Sequence, residues 1–400
     1  MLHNRYVRTT ILSQVMLQLG IWIRNFAILL YVTNLTDNNP HYVSLISVVE
    51  YAPIFIFALI GGTFADRWKP KKTMVWCELL SAASVLLVMF ALLSGAWYAL
   101  LLGTFISASL SQFSQPSAMK LFKLHVPEEQ LQGVMAMNQS LAALFMIFGP
   151  IVGAFVFQQF GIEVSLGITL VMFLLSALIL SSLPRDKEEP KSKSPQHFIK
   201  EMAVGIRYLW ATPSLRTLSS TFAVTGIGAG LIQPLALFIC IENLGQDKVF
   251  LQWFLMAGGI AMLAGGMVGM GMAKKISPQA MLALGLSVSA LCTVGVGAST
   301  SVPLTFLLQI ISSFFYPCIH IGIQTLVMKK TQAEYIGRVG GAITPIFMGM
   351  MVIGMSLSGL LKDMLSLFIV YSISAAFLIV GTLLLAPLFK KDQQLQQLSQ

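Results

Sequence analysis

Apolar stretches of about twenty residues recur along the whole chain, separated by short polar or charged segments. A helix of that length crosses the roughly 30 Å hydrocarbon core of a bilayer. A soluble fold needs one buried core rather than many equal apolar segments. The pattern therefore predicts an all-α membrane protein with twelve transmembrane helices, at 10–33, 42–63, 73–94, 97–118, 134–160, 164–183, 218–241, 251–272, 279–298, 302–327, 340–361 and 365–388.

The longest polar interruption, LPRDKEEPKSKSPQHF, lies between the sixth and seventh spans. After it, Ser194 can cap a helix and Pro195 suits its first position. The helix would be amphipathic and lie on the membrane surface, with one apolar face made of Phe198, Met202, Ile206, Leu209 and Trp210. We predict an N-terminal six-helix half at 1–183, a cytoplasmic linker with this helix at 184–217, and a C-terminal six-helix half with a short cytoplasmic tail at 218–400.

The two halves resemble each other in the residues around equivalent spans. A glycine pair within the second span and a lysine pair after it, Gly61-Gly62 and Lys71-Lys72, recur in and after the eighth span as Gly265-Gly266 and Lys274-Lys275. Pro116 in the fourth span likewise recurs as Pro317 in the tenth. A parallel repeat of this kind predicts two pseudo-symmetric halves that rock around a cavity at their interface.

Charge is scarce and unevenly distributed. The chain is 56% hydrophobic and 10% charged, whereas soluble proteins have about 25% charged residues. The loops on one side hold nearly all the lysines and arginines, and the opposite loops hold only Lys248 and Lys362. Because cytoplasmic loops attract basic residues, we predict that both termini are cytoplasmic in a multi-pass protein of the cell membrane. The net charge of +9 then needs no nucleic acid to explain it.

Several classes of function lack support in the sequence. There is no phosphate-binding G-x-x-x-x-G-K-[ST] loop and no set of nucleophile and base. The four cysteines form no pair or cluster with metal-ligand spacing, at Cys77, Cys240, Cys292 and Cys318. We therefore predict that the protein is not an enzyme, and we predict no cofactor and no metal.

Two charges lie deep inside apolar segments. Arg24 interrupts the first span in GIWIRNFAIL, about 15 Å from its outer end, and Glu50 lies about 12 Å into the second span from the same side. The spans are adjacent and antiparallel, so the two charges can meet. Two interpretations stay open: a static ion pair, or a carboxylate that binds and releases a proton while Arg24 tunes it. Glu78, near the cytoplasmic end of the third span, is a lesser candidate for a proton site.

Polar and aromatic residues at mid-span are candidates for a substrate cavity. For each one alone, a hydrogen bond between helices is the simpler explanation. His320 could also titrate near neutral pH. The candidates are Asn25, Tyr51, Gln112, Gln115, Asn138, Gln139, Gln233, Gln309, Tyr316 and His320.

The loop after the second span, GGTFADRWKPKK, resembles the loop-two motif of the major facilitator superfamily, G-x-x-x-D-R-x-G-R-K. The matching residues are Gly62, Asp66, Arg67 and Lys71. Lys69 and Pro70 depart from the motif's Gly and Arg, so the turn of this loop must differ. The resemblance implies the major facilitator fold.

A second stretch, FGPIVGA in the fifth span, resembles the antiporter motif G-x-x-x-G-P-x-x-G-G. Gly149, Pro150 and Gly153 match it, while Phe145 and Ala154 replace two of its glycines. The resemblance implies that this motif tightens helix packing and limits leak. Ordinary packing of small residues is the alternative interpretation.

The resemblance to the superfamily also implies a cytoplasmic gate. The motif's Asp latches the two halves, so Asp66 is expected to bridge to Arg338 or to the start of its helix, where the helix dipole favours a carboxylate. Either Arg67 or Lys71 is also expected to contact Glu128 or Glu129.

Three further stretches resemble the macrolide-efflux branch of the superfamily: LGIWIRNFAILLYV, HVPEEQLQGVMAMNQSL and FIKEMAVGIRYLWATPSLR. That branch exports amphipathic compounds, usually against protons. Related antiporters often have an Arg in the fourth span, but this span contains neither Arg nor Lys. A proton relay built around that Arg therefore does not transfer to this chain.

Together these features predict a monomeric, proton-coupled exporter of amphipathic drug-like compounds that works in the lipid bilayer by alternating access. Its partners would be a small amphipathic substrate and protons. Two alternatives stay open. One is a dedicated exporter of an endogenous metabolite such as a siderophore, and the other is a channel or lipid-moving protein without proton coupling.

Overall fold

The computed structural model describes residues 4–65, 68–184, 196–332 and 335–388, with side chains except at 58–65, 196–203 and 336–338. The protein is helical through nearly all of these ranges, as predicted. The helices are α1 Arg5–Leu35, α2 Pro40–Ala65, α3 Pro70–Leu93, α4 Ala99–His125, α5 Glu128–Ser181, α6 Gln196–Ala211, α7 Pro213–Ile232, α8 Ala236–Phe238, α9 Leu251–Met272, α10 Pro278–Ala298, α11 Val302–Lys330, α12 Ile336–Met364 and α13 Leu367–Leu384.

Ten helices in the described part of the chain are long and apolar enough to cross a membrane. One of them, α5, has 54 residues and would be about 80 Å long if straight, more than twice the hydrocarbon thickness. It is broken at Gly161, whose φ of 73° and ψ of −173° are not helical. The break lies between the predicted spans 134–160 and 164–183. The multi-span helical class is confirmed, whereas the count of twelve stays a prediction.

The predicted seventh span, 218–241, is not one continuous helix. The α7 helix ends at Ile232, and after Pro234 the chain continues as the short α8 and a π-helical turn at Ile239–Asn243. Proline has no N–H group and cannot continue the hydrogen-bond ladder. The break leaves Gln233 exposed at its corner.

The chain divides into two compact units, Met1–Pro195 and Gln196–Gln400. In the first unit, α1 packs along α5, while α2 and α3 both pack on α4, and α3 also contacts α5. The unit's largest cluster of buried side chains is centred on α1, α3 and α5, and its members include Ile28, Val85, Leu166 and Phe173.

The second unit repeats this pattern of neighbours. Here α7 packs on α12, α9 and α10 both pack on α11, and α10 also contacts α13. Its buried cluster includes Leu218, Leu286, Leu326 and Leu378. The shared pattern agrees with the repeat that the glycine, lysine and proline pairs indicate.

The helix predicted on the membrane surface is α6, which belongs to the second unit and packs on α7 and α12. Its predicted apolar face is divided. Leu209 is buried in the core of the unit, whereas Ile206 and Trp210 are exposed. Tyr208 stacks on Tyr335, with ring centroids 4.2 Å apart. The helix therefore uses part of its apolar surface to attach to the unit.

Candidate functional site

Arg24 lies in the interior of the first unit, with only 3% of its surface exposed. Its Nε and Nη2 both donate to Oδ1 of Asn25, at 3.1 and 2.9 Å. The guanidinium carbon lies 5.9 Å from the ring centroid of Phe173 on α5. The remaining nitrogen, Nη1, is buried and has no hydrogen-bond partner among the described residues.

Asn25 also contacts Glu50. Its Nδ2 donates to Oε1 of Glu50 at 2.6 Å, which joins α1 to α2. The structure therefore brings together Arg24, Asn25 and Glu50, but it corrects the expected direct meeting of the two charges. Consecutive residues of a helix point about 100° apart, so Arg24 points towards α5 while Asn25 points towards α2. The amide of Asn25 relays the contact between the charges.

The two glycines of the antiporter-like motif lie against the same stretch of α1. A Cβ atom at Gly149 would lie 2.4 Å from the indole of Trp22, and one at Gly153 would lie 2.7 Å from Cβ of Phe26. Trp22 and Phe26 flank Arg24 and Asn25 in the sequence. Close packing of α5 on α1 therefore fixes the backbone that presents these two polar side chains.

Gly149→Ala is expected to disturb this packing, because the rigid indole of Trp22 cannot move aside without shifting α1. Overpacking of this kind costs about 1–3 kcal/mol. We expect a lower thermal unfolding midpoint in detergent and slower transport than in the unmodified protein. Gly167→Ala, on the same helix with nothing within 4 Å of the added atom, is the matched control. Equal unfolding midpoints for both variants would contradict the packing assigned to Gly149.

The predicted gate is only partly described. Asp66, Arg67 and the side chain of Arg338 lie outside the described residues, and Gly62 lies in the part of α2 described by its backbone alone. Glu128 and Glu129 occupy the exposed first turn of α5, where the helix dipole favours acidic residues.

Lys71 takes a position that the gate prediction did not anticipate. Its Nζ donates to the carbonyl oxygen of Ser181 at 2.8 Å and to that of Leu183, and Arg5 donates to the carbonyl oxygen of Ser182. The last carbonyl groups of a helix lack partners within it and attract cations. The two basic residues therefore bind the end of α5.

The cavity candidates fall into two sets, one in each unit. In the first unit, Gln115 and Gln139 are exposed, while Tyr51, Gln112 and Asn138 are half-buried. In the second unit, Gln233 is exposed at the break after α7. The other candidates there lie on α11, where Gln309 contacts Ser313 at 3.4 Å and the rings of Tyr316 and His320 meet edge to face at 5.1 Å.

The α11 candidates form a continuous stripe with two residues that the sequence analysis missed. Its members follow one another at intervals of three or four positions: Gln309, Ser313, Tyr316, His320 and Gln324. Tyr316, His320 and Gln324 are all exposed. A polar stripe on a spanning helix is costly in lipid and favourable towards a water-filled cavity. The helical spacing of Ser313 and Gln324 was the signal that could have found them.

Glu78, the lesser candidate for a proton site, lies in the interior of the first unit. It is only 3% exposed and accepts a hydrogen bond from Ser114 at 3.2 Å. Serines spaced four and three apart on α4 face it, at Ser107, Ser111 and Ser114. That spacing places one helical face of hydroxyl groups against the carboxyl.

Among the described residues, no group of three or more His, Cys, Asp or Glu side chains is placed to hold a metal ion. The four cysteines are buried as free thiols.

Comparison with known proteins identifies the chain's relatives. The family model described as Major Facilitator Superfamily matches residues 10–355. The chain is 25% identical to macrolide efflux protein A of Streptococcus pyogenes over 378 residues, covering 91% of this chain and 89% of that protein. It is 26% identical to the multidrug efflux pump Tap of Mycolicibacterium fortuitum, covering 84% and 85%. It is 25% identical to the uncharacterized MFS-type transporter YkuC of Bacillus subtilis, covering 83% and 79%.

Solved structures share the fold. A mutant of the nucleoside transporter NupG aligns with a TM-score of 0.77 at 13% identity, covering 96% of this chain and 99% of that one. A POT family transporter in complex with 5-aminolevulinic acid also aligns with a TM-score of 0.77 at 13% identity, covering 97% and 96%. At this identity the likeness establishes the fold alone.

Proposed function

The chain belongs to the major facilitator superfamily, and on that premise we propose that it is a proton-coupled exporter of amphipathic drug-like compounds. Its relatives include proteins named for macrolide and for multidrug efflux, at about a quarter identity over most of the chain. The observation that carries the proposal is the chain of contacts from Arg24 through Asn25 to Glu50, inside two spanning helices.

This chain of contacts can couple a proton to a conformational change. Ionised Glu50 accepts from Nδ2 of Asn25, which leaves Oδ1 of Asn25 for Arg24. A proton on Glu50 removes the negative charge, so the charge-assisted hydrogen bond weakens and Arg24 loses its nearby counter-charge. A buried charge without compensation is costly. Protonation therefore favours a state in which water or a second anion compensates Arg24.

A protonated and an ionised state with different preferred conformations are sufficient for antiport. Each ligand shifts the population towards the conformation that it binds better. If cargo binds better when Glu50 is ionised, cargo and proton exclude each other. The inward movement of a proton then drives the outward movement of cargo. The static ion pair offers no such coupling, and the indirect contact through Asn25 argues against it.

The proposed cargo site includes the polar stripe on α11 and the corner at Gln233. Ligand sites are mostly apolar, with a few polar groups that fix orientation. The chain's 22 methionines and 26 phenylalanines suit an adaptable apolar surface. In the first unit, the proposed contacts are Asn25, Tyr51, Gln112, Gln115, Asn138 and Gln139. In the second, they are Gln233, Gln309, Tyr316 and His320.

The protein would act as a monomer in the cytoplasmic membrane, with both termini in the cytoplasm and a gate on the cytoplasmic side. Asp66 would latch the closed cytoplasmic side through Arg338. Lys71 would support the gate indirectly, by holding the end of α5 as described above. Positive-inside charge and the loop motif support this arrangement.

Resistance profiling tests the cargo class. A strain lacking its main efflux pumps would express the protein and be challenged with macrolides, other amphipathic drugs and metal-limited medium. We expect resistance to at least one amphipathic drug class, abolished by a protonophore. A growth phenotype confined to metal-limited medium would favour a metabolite exporter. Resistance that survives the protonophore would favour a protein without proton coupling.

Tyr316→Ala is expected to weaken export of aromatic cargo. Loss of an aromatic contact costs about 0.5–1.5 kcal/mol, or roughly 2- to 10-fold in affinity. The measurement is the substrate KM for export into vesicles. Phe368→Ala, which removes an exposed ring on α13, is the matched control and should leave KM unchanged. The same KM shift in both variants would remove the α11 stripe from the cargo site.

A further inference from the structure

A small cavity in the first unit is bordered by α1, α3 and α4, and it does not include the residues of the Arg24–Asn25–Glu50 contact. Leu17 and Ile21 form one side of it, and Glu78 and Ser81 form another. The third side is the serine face of α4. It has space for about one water molecule.

Hydrogen-bonding capacity around this cavity is unmet. Oε1 of Glu78 accepts from Ser114 at 3.2 Å, while Oε2 has no hydrogen-bond partner among the described residues. Ser81 and Ser107 are each 4% exposed, and their hydroxyl groups also make no hydrogen bond to the described residues. Buried polar groups in native proteins nearly always have a partner. Three such groups around one cavity therefore indicate a small ligand that supplies the missing bonds.

Within the described part of the chain, no basic side chain borders the cavity or pairs with Glu78. The cavity's other ionisable side chain is the thiol of Cys77, and α1 and α4 contribute only apolar residues and serines to it. The α5 helix also packs on α3, but its acidic residues Glu128, Glu129 and Glu163 lie at its start and beyond its break, away from the cavity. An unpaired carboxylate away from water is costly. The cheapest way to compensate it is a bound cation, of which the proton is the smallest.

The position of the cavity along α1 connects it to the first carboxyl site. Leu17, Ile21 and Asn25 follow one another at intervals of four residues and so form one stripe of the helix. The first two border the cavity, and Asn25 binds Glu50. One helical turn, about 6 Å along the axis, separates Ile21 from Asn25. The two carboxyl sites therefore lie at successive levels along α1, with Glu78 nearer to its N-terminus.

We propose that Glu78 with Ser81, Ser107 and Ser114 forms a second proton-binding site, one level from Glu50 towards the N-terminal ends of α1 and α3. A proton arriving from water binds Oε2, and the resulting O–H donates to a serine hydroxyl or to a water in the cavity. When the proton leaves to water, the carboxylate remains and the hydroxyls donate to it. Serine suits both states because its hydroxyl either donates or accepts.

The binding of a proton at Glu78 stands independently of the proposed export. Its use as a step in the path of the coupling proton rests on the proposed function. In that use, a proton released from Glu50 towards the cytoplasm is held at Glu78 before it reaches water. Glu78→Gln would then slow export driven by a pH gradient while leaving cargo binding without a gradient intact.

Infrared difference spectroscopy of the full-length protein in lipid membranes tests the site. The membranes are titrated from acid to alkaline pH in potassium buffer, and the carbonyl stretch of protonated carboxyl groups is followed. We expect a pH-dependent band that disappears in Glu78→Gln and persists in Glu50→Gln. Ser114→Ala should move that band to higher wavenumber, because the carboxyl loses a hydrogen bond. Ser109→Ala, whose hydroxyl binds the backbone of its own helix, is the control and should not move it.

Three outcomes would overturn the proposal, and a fourth would separate it from the proposed function. A Glu78→Gln spectrum identical to that of the unmodified protein at all pH values would mean that Glu78 does not exchange a proton. A band that responds to replacement of potassium by sodium at constant pH would assign the cavity to sodium instead. If Glu78→Gln fails to fold, the Ser114→Ala shift decides alone, and its absence rejects the site. If Glu50→Gln transport keeps its gradient dependence while the Glu78 band titrates, the coupling role proposed for Glu50 fails and the second site stands.

Discussion

Glu50→Gln is expected to abolish the response of export to a pH gradient. Glutamine keeps the shape of the side chain and an oxygen that accepts from Asn25, but it cannot take up a proton. The gradient-driven flux should fall by about 5- to 150-fold, the range that a coupling free energy of about 1–3 kcal/mol gives. Exchange of cargo without a gradient should continue, because it requires no net proton movement. The measurement is the flux of labelled cargo in reconstituted vesicles, with and without a pH gradient.

Two further variants make this result specific. Glu163→Gln changes an exposed acid on α5 and should leave the gradient dependence unchanged. Asn25→Leu breaks the contact between Arg24 and Glu50 while both charges stay, and it should reproduce much of the loss. Full gradient dependence in Glu50→Gln would show that the coupling proton binds elsewhere and would favour a protein without this mechanism.

Gly265→Ala is expected to be the most destabilising of the single-methyl changes considered. A Cβ atom at Gly265 would lie 1.8 Å from the carbonyl oxygen of Phe314 on α11. That oxygen belongs to the backbone, so the α9 and α11 helices must move apart to accept the methyl group. The cost should reach or exceed the about 1–3 kcal/mol that is typical of overpacking. We expect a lower unfolding midpoint in detergent and a lower yield of folded protein.

The neighbouring glycine provides the control. Nothing lies within 4 Å of a Cβ atom placed at Gly266, so Gly266→Ala meets no obstacle. Alanine is favoured over glycine in a helix interior by about 1 kcal/mol. Gly266→Ala should therefore match or slightly exceed the stability of the unmodified protein. Equal destabilisation by both substitutions would contradict the close approach of α9 and α11.

Much of the fold could be predicted because hydrophobic length is a local property. The predicted span 251–272 coincides with α9, and most other spans differ from the helices by a few residues at their ends. The two breaks differ in how well the sequence placed them. Gly161 lies between the predicted spans 134–160 and 164–183, next to Gln158, Gln159 and Glu163, so that break was predicted. Pro234 lies among apolar residues inside the predicted span 218–241, so that break was not. Apolar content alone therefore does not show where the backbone leaves the helix.

The candidate site was predictable in its charges but not in their contacts. Arg24 and Glu50 stand out because charge inside a span is rare. The role of Asn25 depends on the direction in which each side chain leaves α1, and that direction is fixed by the packing of α5 through Gly149 and Gly153. The burial of Glu78 depends on the serine face of α4, more than 25 residues away in the sequence. Such tertiary contacts are not encoded in any single segment.

The most direct test of the central claim is proton movement during transport. Vesicles containing the protein and a pH-sensitive dye are given an acidic lumen, and cargo identified by resistance profiling is added outside. If entry of cargo is exchanged for exit of protons through Glu50, the lumen becomes more alkaline with the unmodified protein and stays unchanged with Glu50→Gln. Entry of cargo without any change in lumenal pH in the unmodified protein would contradict the account.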